Sequence, residues 1–207
     1  FKGATSSDTA TNPDWHGKWY TLGFKGNELR FSVDDNVNKT QLAAKDAHLQ
    51  MDKHEWNHIA GVRDVGNTMK VYLNGVEVAS VVDTNTKGDI ASGPLALQVG
   101  NSYGMSAPFH GLIDEVKIWN KALSAAEIAE EAGIKPSSVP EDVVAYWKFN
   151  LDETDETGVN DGSIVYGGDT LYAEGVDGAA IDFTGVTDST HVLVPHDPSI
   201  DFDSTQS

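Results

Sequence analysis

The sequence predicts an all-β protein, an antiparallel two-sheet sandwich with one short peripheral helix. Three observations predict it. Apolar residues alternate with polar ones in short runs, turn residues separate the runs, and a single stretch carries helix signals. A parallel sheet would need a helix between successive strands, and the chain has no such alternation.

In order, residues 19–24 and 28–33 read as two strands joined at Lys25, Gly26 and Asn27. Trp56, His58, Ala60 and Val62 fall on one face of a third. Met69, Val71 and Leu73 alternate with Lys70 and Tyr72 in a fourth, and Asn74-Gly75 follows. Both central residues of a tight type I′ turn need positive φ, which Asn and Gly supply, so the pair predicts a hairpin with 76–82 as its return strand. Leu95, Leu97 and Val99 mark another strand, and 112–119 another. Ser124 and Glu127 form a capping box: the Ser side chain takes the third helical N–H and the Glu reaches back. Residues 125–132 are good helix formers, Gly133 suits a left-handed cap and Pro136 stops continuation. Pro136, Ser137, Ser138 and Pro140 make 134–142 a linker. Strands are expected again over 143–149, 162–166, 179–183 and 191–195. A loop with Asp152, Glu153, Asp155 and Glu156 follows the first of these.

With 207 residues, 39% of them apolar, the chain holds a core without crosslinks, as one large sandwich or as one domain plus part of another. It has no Cys, which excludes a disulfide scaffold, a Cys-based zinc site and a Cys nucleophile. No apolar run is long enough to cross a membrane, and no charged-then-apolar leader opens the sequence. There are 14 basic and 32 acidic residues, a net charge of −18. Such a surface repels nucleic acid and anionic lipid, so neither is an expected partner. It suits divalent cations and salty extracellular surroundings.

The chemistry-bearing motifs of enzymes do not stand out. The seven His residues show no zinc spacing. There is no Gly-x-Ser-x-Gly elbow and no phosphate-binding Gly loop. No pair of acids is marked on a strand facing a cleft, as a glycosidase would need. No catalytic residue is therefore assigned. Asp14, Trp15 and His16 sit in a polar loop before a strand, and Tyr103 lies in a second loop. A Trp beside an acid and a His is a way to stack a sugar ring and grip its hydroxyls, so these four are the candidate ligand-binding residues. Asp114 shares parity with Leu112, Val116 and Ile118, so a regular strand aims it inward. A buried carboxylate must be paired, hydrogen-bonded or on a metal.

Several segments, taken together, resemble a known family. Residues 56–62 with 69–78, then Leu97-Gln98-Val99-Gly100, then 109–120, and finally Ala122-Leu123-Ser124 with Glu127-Ile128 are similar to the central hairpin, closing strands and short helix of laminin-G-like, concanavalin A-type jelly rolls. The second segment resembles the opening half of such a unit, in 144–149, Asn160-Asp161-Gly162, 178–183, 192–195 and 198–202. The chain thus reads as residues 1–133, the back of a laminin-G-like sandwich, a linker over 134–142, and residues 143–207, the front of one. The two segments either join within one chain as a permutant or pack on neighbouring repeats. An apolar strand that the family carries between the equivalents of Phe202 and Phe1 is not evident, which leaves an expected open edge.

The resemblance implies a structural calcium held by Asp114, Asp152, Asn160 and Asp161 with backbone carbonyls. The function it leads to expect is an extracellular or cell-surface, non-catalytic, lectin-like module that binds a glycan or surface polysaccharide. The alternative is a structural or adhesive repeat that assembles with itself or with neighbouring repeats through sheet edges or strand exchange. A polysaccharide-active enzyme of the same fold is the third reading.

Overall fold

A computed structural model describes residues 2–3, 18–35, 37–51, 55–64, 66–86, 90, 96–101, 108–133, 139, 142–165, 171–186 and 189–201. Among these residues it is mostly β, with several antiparallel sheets and one α-helix. The strands are β1 (Lys2–Gly3), β2 (Lys18–Lys25), β3 (Glu28–Asp35), β4 (Lys39–Ala44), β5 (Ile59–Arg63), β6 (Thr68–Leu73) and β7 (Val76–Val82). Next come β8 (Leu97–Val99), β9 (Leu112–Ile113), β10 (Val116–Trp119) and helix α1 (Ala125–Gly133). Then follow β11 (Val143–Trp147), β12 (Ser163–Val165), β13 (Tyr172–Glu174), β14 (Ala179–Asp182) and β15 (His191–Val194). The described residues divide into two compact units, one within residues 3–93 and 120–136, the other within 2, 94–119 and 137–201.

The first unit is a sandwich of the strands β2-β3-β4 of one sheet and the sheet β5-β6-β7. Strand alternation builds its core. Leu29, Phe31 and Val33 of β3, Leu42 of β4, and Met69, Val71 and Leu73 of β6 form one buried cluster. Asn74 and Gly75 take φ of 50° and 79°, as the predicted type I′ hairpin requires. The capping box forms as read: Glu127 N–H donates to Ser124 Oγ at 3.3 Å and Ser124 N–H to Glu127 Oε2 at 2.7 Å. Those bonds from Ser124, with Lys121 nearby, hold the Glu127 carboxyl down at about 2. Gly133 ends the helix as its last residue and does not take the left-handed conformation the sequence suggested. A buried polar pin closes the far end of β7. Asp83 accepts from the Thr40 hydroxyl at 2.6 Å and from the Thr86 N–H at 2.9 Å, with Arg63 3.5 Å away.

The second unit pairs strands from both sides of the helix. β10 pairs with β11, β9 with β14, and β8 with β15, all antiparallel. β12 adds to β15 and β13 to β14. Trp147, Phe149, Ile181, Phe183, Val192 and Val194 are fully buried in this unit.

Other expectations are corrected here. The single strand expected over 112–119 is broken at Asp114 and Glu115, where Glu115 adopts φ of 54°. Residues 198–202, whose resemblance to the family implied a further strand, begin instead as a 3-10 turn over Pro198–Ile200, capped by Asp197, which accepts from the Ser199 N–H at 2.8 Å. Trp56 and His58 precede β5 and are not part of it. β4 and β13 were not read from the sequence.

Candidate functional site

The loop after β11 is the most densely organised polar region of the second unit. Phe149 and Leu151 take φ of 54° and 70°, a conformation non-glycine residues rarely hold. The loop is held by Asp155, which is 4% exposed. Its Oδ1 accepts the N–H groups of Tyr146 at 2.8 Å and Thr157 at 3.0 Å. Its Oδ2 accepts the Asn160 N–H at 2.9 Å, the Asn160 amide at 3.2 Å and the Thr157 hydroxyl. Burial alone would push this carboxyl up. The bonds from Thr157, Tyr146 and Asn160 outweigh burial and leave it below the usual carboxylate range. Asn160 extends the lattice: its amide reaches Val144 O and Ser199 Oγ, both at 3.2 Å, and its carbonyl takes the Trp147 indole N–H at 2.8 Å.

Asp114 performs a similar task on the opposite loop. Its Oδ1 accepts the Glu115 N–H at 2.8 Å and its Oδ2 the Val176 N–H at 2.7 Å, so it grips the turn between β13 and β14. Burial pushes its carboxyl up, against the pull of those bonds. A Cβ at Gly175 would lie 2.5 Å from Asp114 Oδ2 and 2.6 Å from the Ala179 backbone, closer than a side chain can come. The same turn is braced from the other side by Asn150, whose Oδ1 accepts the Ala179 N–H at 2.6 Å.

Beside this turn, the Tyr146 hydroxyl donates to Glu115, and burial followed by that bond raises the phenol well above its ordinary value. Lys117 and Lys148 lie over the Tyr146 ring at 4.7 and 5.4 Å. The carboxyl of Glu115 is itself pushed up by burial.

The metal ligands implied by the sequence are thus placed in two neighbourhoods: Asp152, Asn160 and Asp161 in the β11–β12 loop, and Asp114 in the β9–β10 break. Among the described residues, no group of three His, Cys, Asp or Glu is gathered round one point. Asp152 accepts from the Thr154 hydroxyl at 2.7 Å, and Asp161 accepts the Asp155 N–H at 2.8 Å, each through Oδ1. The Oδ2 atoms of both accept no bond from the described residues, and both residues are exposed. As hard oxygen donors on an exposed loop, these two suit calcium in kind. Asn160 is already committed to protein partners. The predicted ligand-binding residues Asp14, Trp15, His16 and Tyr103 lie outside the described residues.

In the other unit a second polar and aromatic feature stands at the entrance to β5. Trp56 is 40% exposed. Next to it, the Asn57 amide donates to Glu55 O at 2.9 Å and its Oδ1 accepts from the Asn74 amide at 3.1 Å. Asn74 Oδ1 takes the His58 N–H at 2.8 Å. The loop and the β6–β7 hairpin are therefore tied by a pair of amides beside a solvent-facing indole. The sequence reading placed Trp56 on a strand face and missed this. It also counted Asp155 only as one acid in a loop. Its spacing to Thr157 and Gly158 was a turn signal that could have singled it out.

Comparisons with known proteins come from three directions. The profile of a laminin-G-type family, described as the concanavalin A-like lectin/glucanases superfamily, matches residues 2–129. No curated protein matches the chain. An S-layer domain-containing protein (residues 221–444) from Clostridium thermocellum ATCC 27405 is a similar solved structure, at 23% identity and a TM-score of 0.30. The likeness covers 51% of this chain and 52% of that one, so the chain matches about half of that structure's length. The profile spans more than half of the 207 residues and the strands it covers are antiparallel and sandwiched, so the chain belongs to the concanavalin A-like lectin/glucanase superfamily.

Proposed function

We propose that this chain is an extracellular, non-catalytic module that binds a neutral glycan, with calcium steadying one of its loops. The observation that carries the reading is Trp56, a large indole left facing solvent beside side-chain amides that are already fixed in place. An indole offers a flat apolar face for the C–H side of a sugar ring, and amides match its hydroxyls. Because Asn57 and Asn74 are braced by each other and by backbone, little ordering would be lost on binding. The net charge of −18 disfavours sulfated or uronic-acid polymers and leaves neutral glycans as the class. The absence of catalysis belongs to the proposal. It is supported by the two buried or half-buried aspartates Asp155 and Asp114, each of which accepts backbone N–H groups on both of its oxygens.

Trp56→Ala is expected to weaken binding to neutral glycans on an array by at least about tenfold, the usual loss when a central aromatic contact is truncated. Trp15→Ala, tested in parallel, asks the same of the loop singled out in the sequence. Unchanged binding in both variants, with circular dichroism showing both folded, would remove the glycan reading.

Calcium, if bound, would be held by Asp152 and Asp161, with Asp114 and Asn160 as the further implied donors. What the metal would supply is charge neutralisation and a fixed loop. A ligand bound only to the folded state raises stability as its concentration exceeds the dissociation constant, by about 2.7 kcal/mol at a hundredfold excess. The thermal midpoint is accordingly expected to rise with millimolar calcium and to fall in chelator, and Asp152→Asn with Asp161→Asn is expected to abolish the difference. Identical midpoints under both conditions would strike calcium from the account.

A further inference from the structure

β8, β9 and β10 each have one strand partner among the described residues. In every case it lies on the other side of the helix and the 134–142 segment: β15 for β8, β14 for β9, and β11 for β10. No described strand of the first unit pairs with them, and they do not pair with one another. The first unit meanwhile owns a complete buried cluster made from β3, β4 and β6. The family profile ends at residue 129, so the last three strands it covers find their partners entirely beyond the matched region.

We infer that residues 143–201 are an exchangeable donor segment, able to complete strands 97–119 of a second copy of this chain as well as those of their own. This goes beyond glycan binding and does not depend on it. The partner is fixed by chemistry: the acceptor strands are complementary to this one segment, down to register. Leu97, Gln98 and Val99 face Val194, Leu193 and Val192, and Ile113 faces Ile181. An identical segment from another molecule satisfies the same backbone groups and fills the same positions with Val192, Val194 and Ile181, all fully buried. The bonds within the unit are the same in the closed and exchanged forms. The closed form is favoured only by tethering. A short tether acts as an effective concentration of roughly millimolar, so exchange competes when the protein is unfolded and refolded near that concentration. The segment that joins acceptor to donor strands runs over 120–142 and includes helix α1.

The test uses the full chain, which has no native cysteine to confuse it. Gln98 and Leu193 are directly opposed, and both are only partly buried. Gln98→Cys and Leu193→Cys are made as separate variants, mixed, unfolded together, refolded at high concentration and oxidised. The expected product is a mixed disulfide dimer, at least tenfold more abundant than when the same two folded proteins are mixed without unfolding. Wild type refolded the same way is expected to give a dimer on size exclusion with light scattering. The doubly substituted chain, oxidised while folded, is expected to be locked as a monomer that no longer forms it. Leu112→Cys with Asp182→Cys repeats the test at the β9–β14 pair, should the first pair perturb folding. Failure of co-refolded variants to give mixed disulfides at either pair, with both proteins folded, overturns the inference. So does a wild-type protein that stays monomeric at every refolding concentration.

Discussion

Asp155→Ala is expected to lower the unfolding free energy by about 3–5 kcal/mol, measured by urea denaturation with tryptophan fluorescence. The side chain is 4% exposed and accepts N–H groups from Tyr146, Thr157 and Asn160. Alanine leaves those three donors without an acceptor. An unsatisfied buried donor costs about 1–3 kcal/mol, and partial entry of water keeps the total below the simple sum. The Thr157 hydroxyl and the Asn160 amide lose their acceptor too. Asp155→Asn retains one oxygen and is expected to fall between wild type and alanine. The two variants also differ from wild type in acid. The folded-state pKa of Asp155 lies below its ordinary value. Its contribution is therefore fully present above about pH 4 and is lost as pH falls through the lower folded value. In Asp155→Asn that component of the acid limb is expected to vanish, which a stability profile from pH 6 to pH 2 would reveal. An alanine variant as stable as wild type would show that the loop is held by something else.

Gly100→Ala is expected to cost about 2–5 kcal/mol by the same measurement. Gly100 has φ of 88°, where an alanine is strained by about 1–3 kcal/mol. A Cβ there would also collide with the ring of Phe183. That ring is fully buried, so overpacking adds about 1–3 kcal/mol. The two contributions separate experimentally. In the Gly100→Ala background, Phe183→Leu removes the collision but not the backbone strain. It should therefore recover part of the loss, although alone it destabilises. If the double substitution is no better than the sum of the singles, the collision is not part of the cost.

Where the chain follows local rules, the fold was legible. Asn74-Gly75 made its hairpin, and Ser124 with Glu127 made its capping box, because both depend on residues within four positions of one another. Strand alternation in β3 and β6 translated directly into the buried cluster. β4 escaped although Thr40, Leu42 and Ala44 alternate, since Lys39 and Gln41 made the run look like surface. The break at Asp114 and Glu115 was not legible from period alone. Glu115 takes its positive φ where the carboxylate of Asp114 grips a turn some sixty residues further on. Asp155 was missed for a related reason. Its turn spacing to Thr157 was readable, but its bond from the Tyr146 N–H, a backbone group on a strand, was not. For the proposed ligands, residue type was readable while spatial gathering was not: Asp152 and Asp161 share a loop, whereas Asp114 belongs to another. Trp56 was placed on a strand face because parity was extrapolated past the true start of β5 at Ile59.

The pairing of β8 with β15 also has a consequence for how the molecule is made. A ribosome adds about 5–20 residues each second, so β8 emerges on the order of ten seconds before its partner exists. During that interval the sandwich of residues 18–83 is already available to fold, while Leu97 and Val99 must wait with open backbone groups. A nascent chain stalled in that window presents a sticky edge to its neighbours on the same message. Slower translation past residue 119 would lengthen that exposure, and faster translation would shorten it.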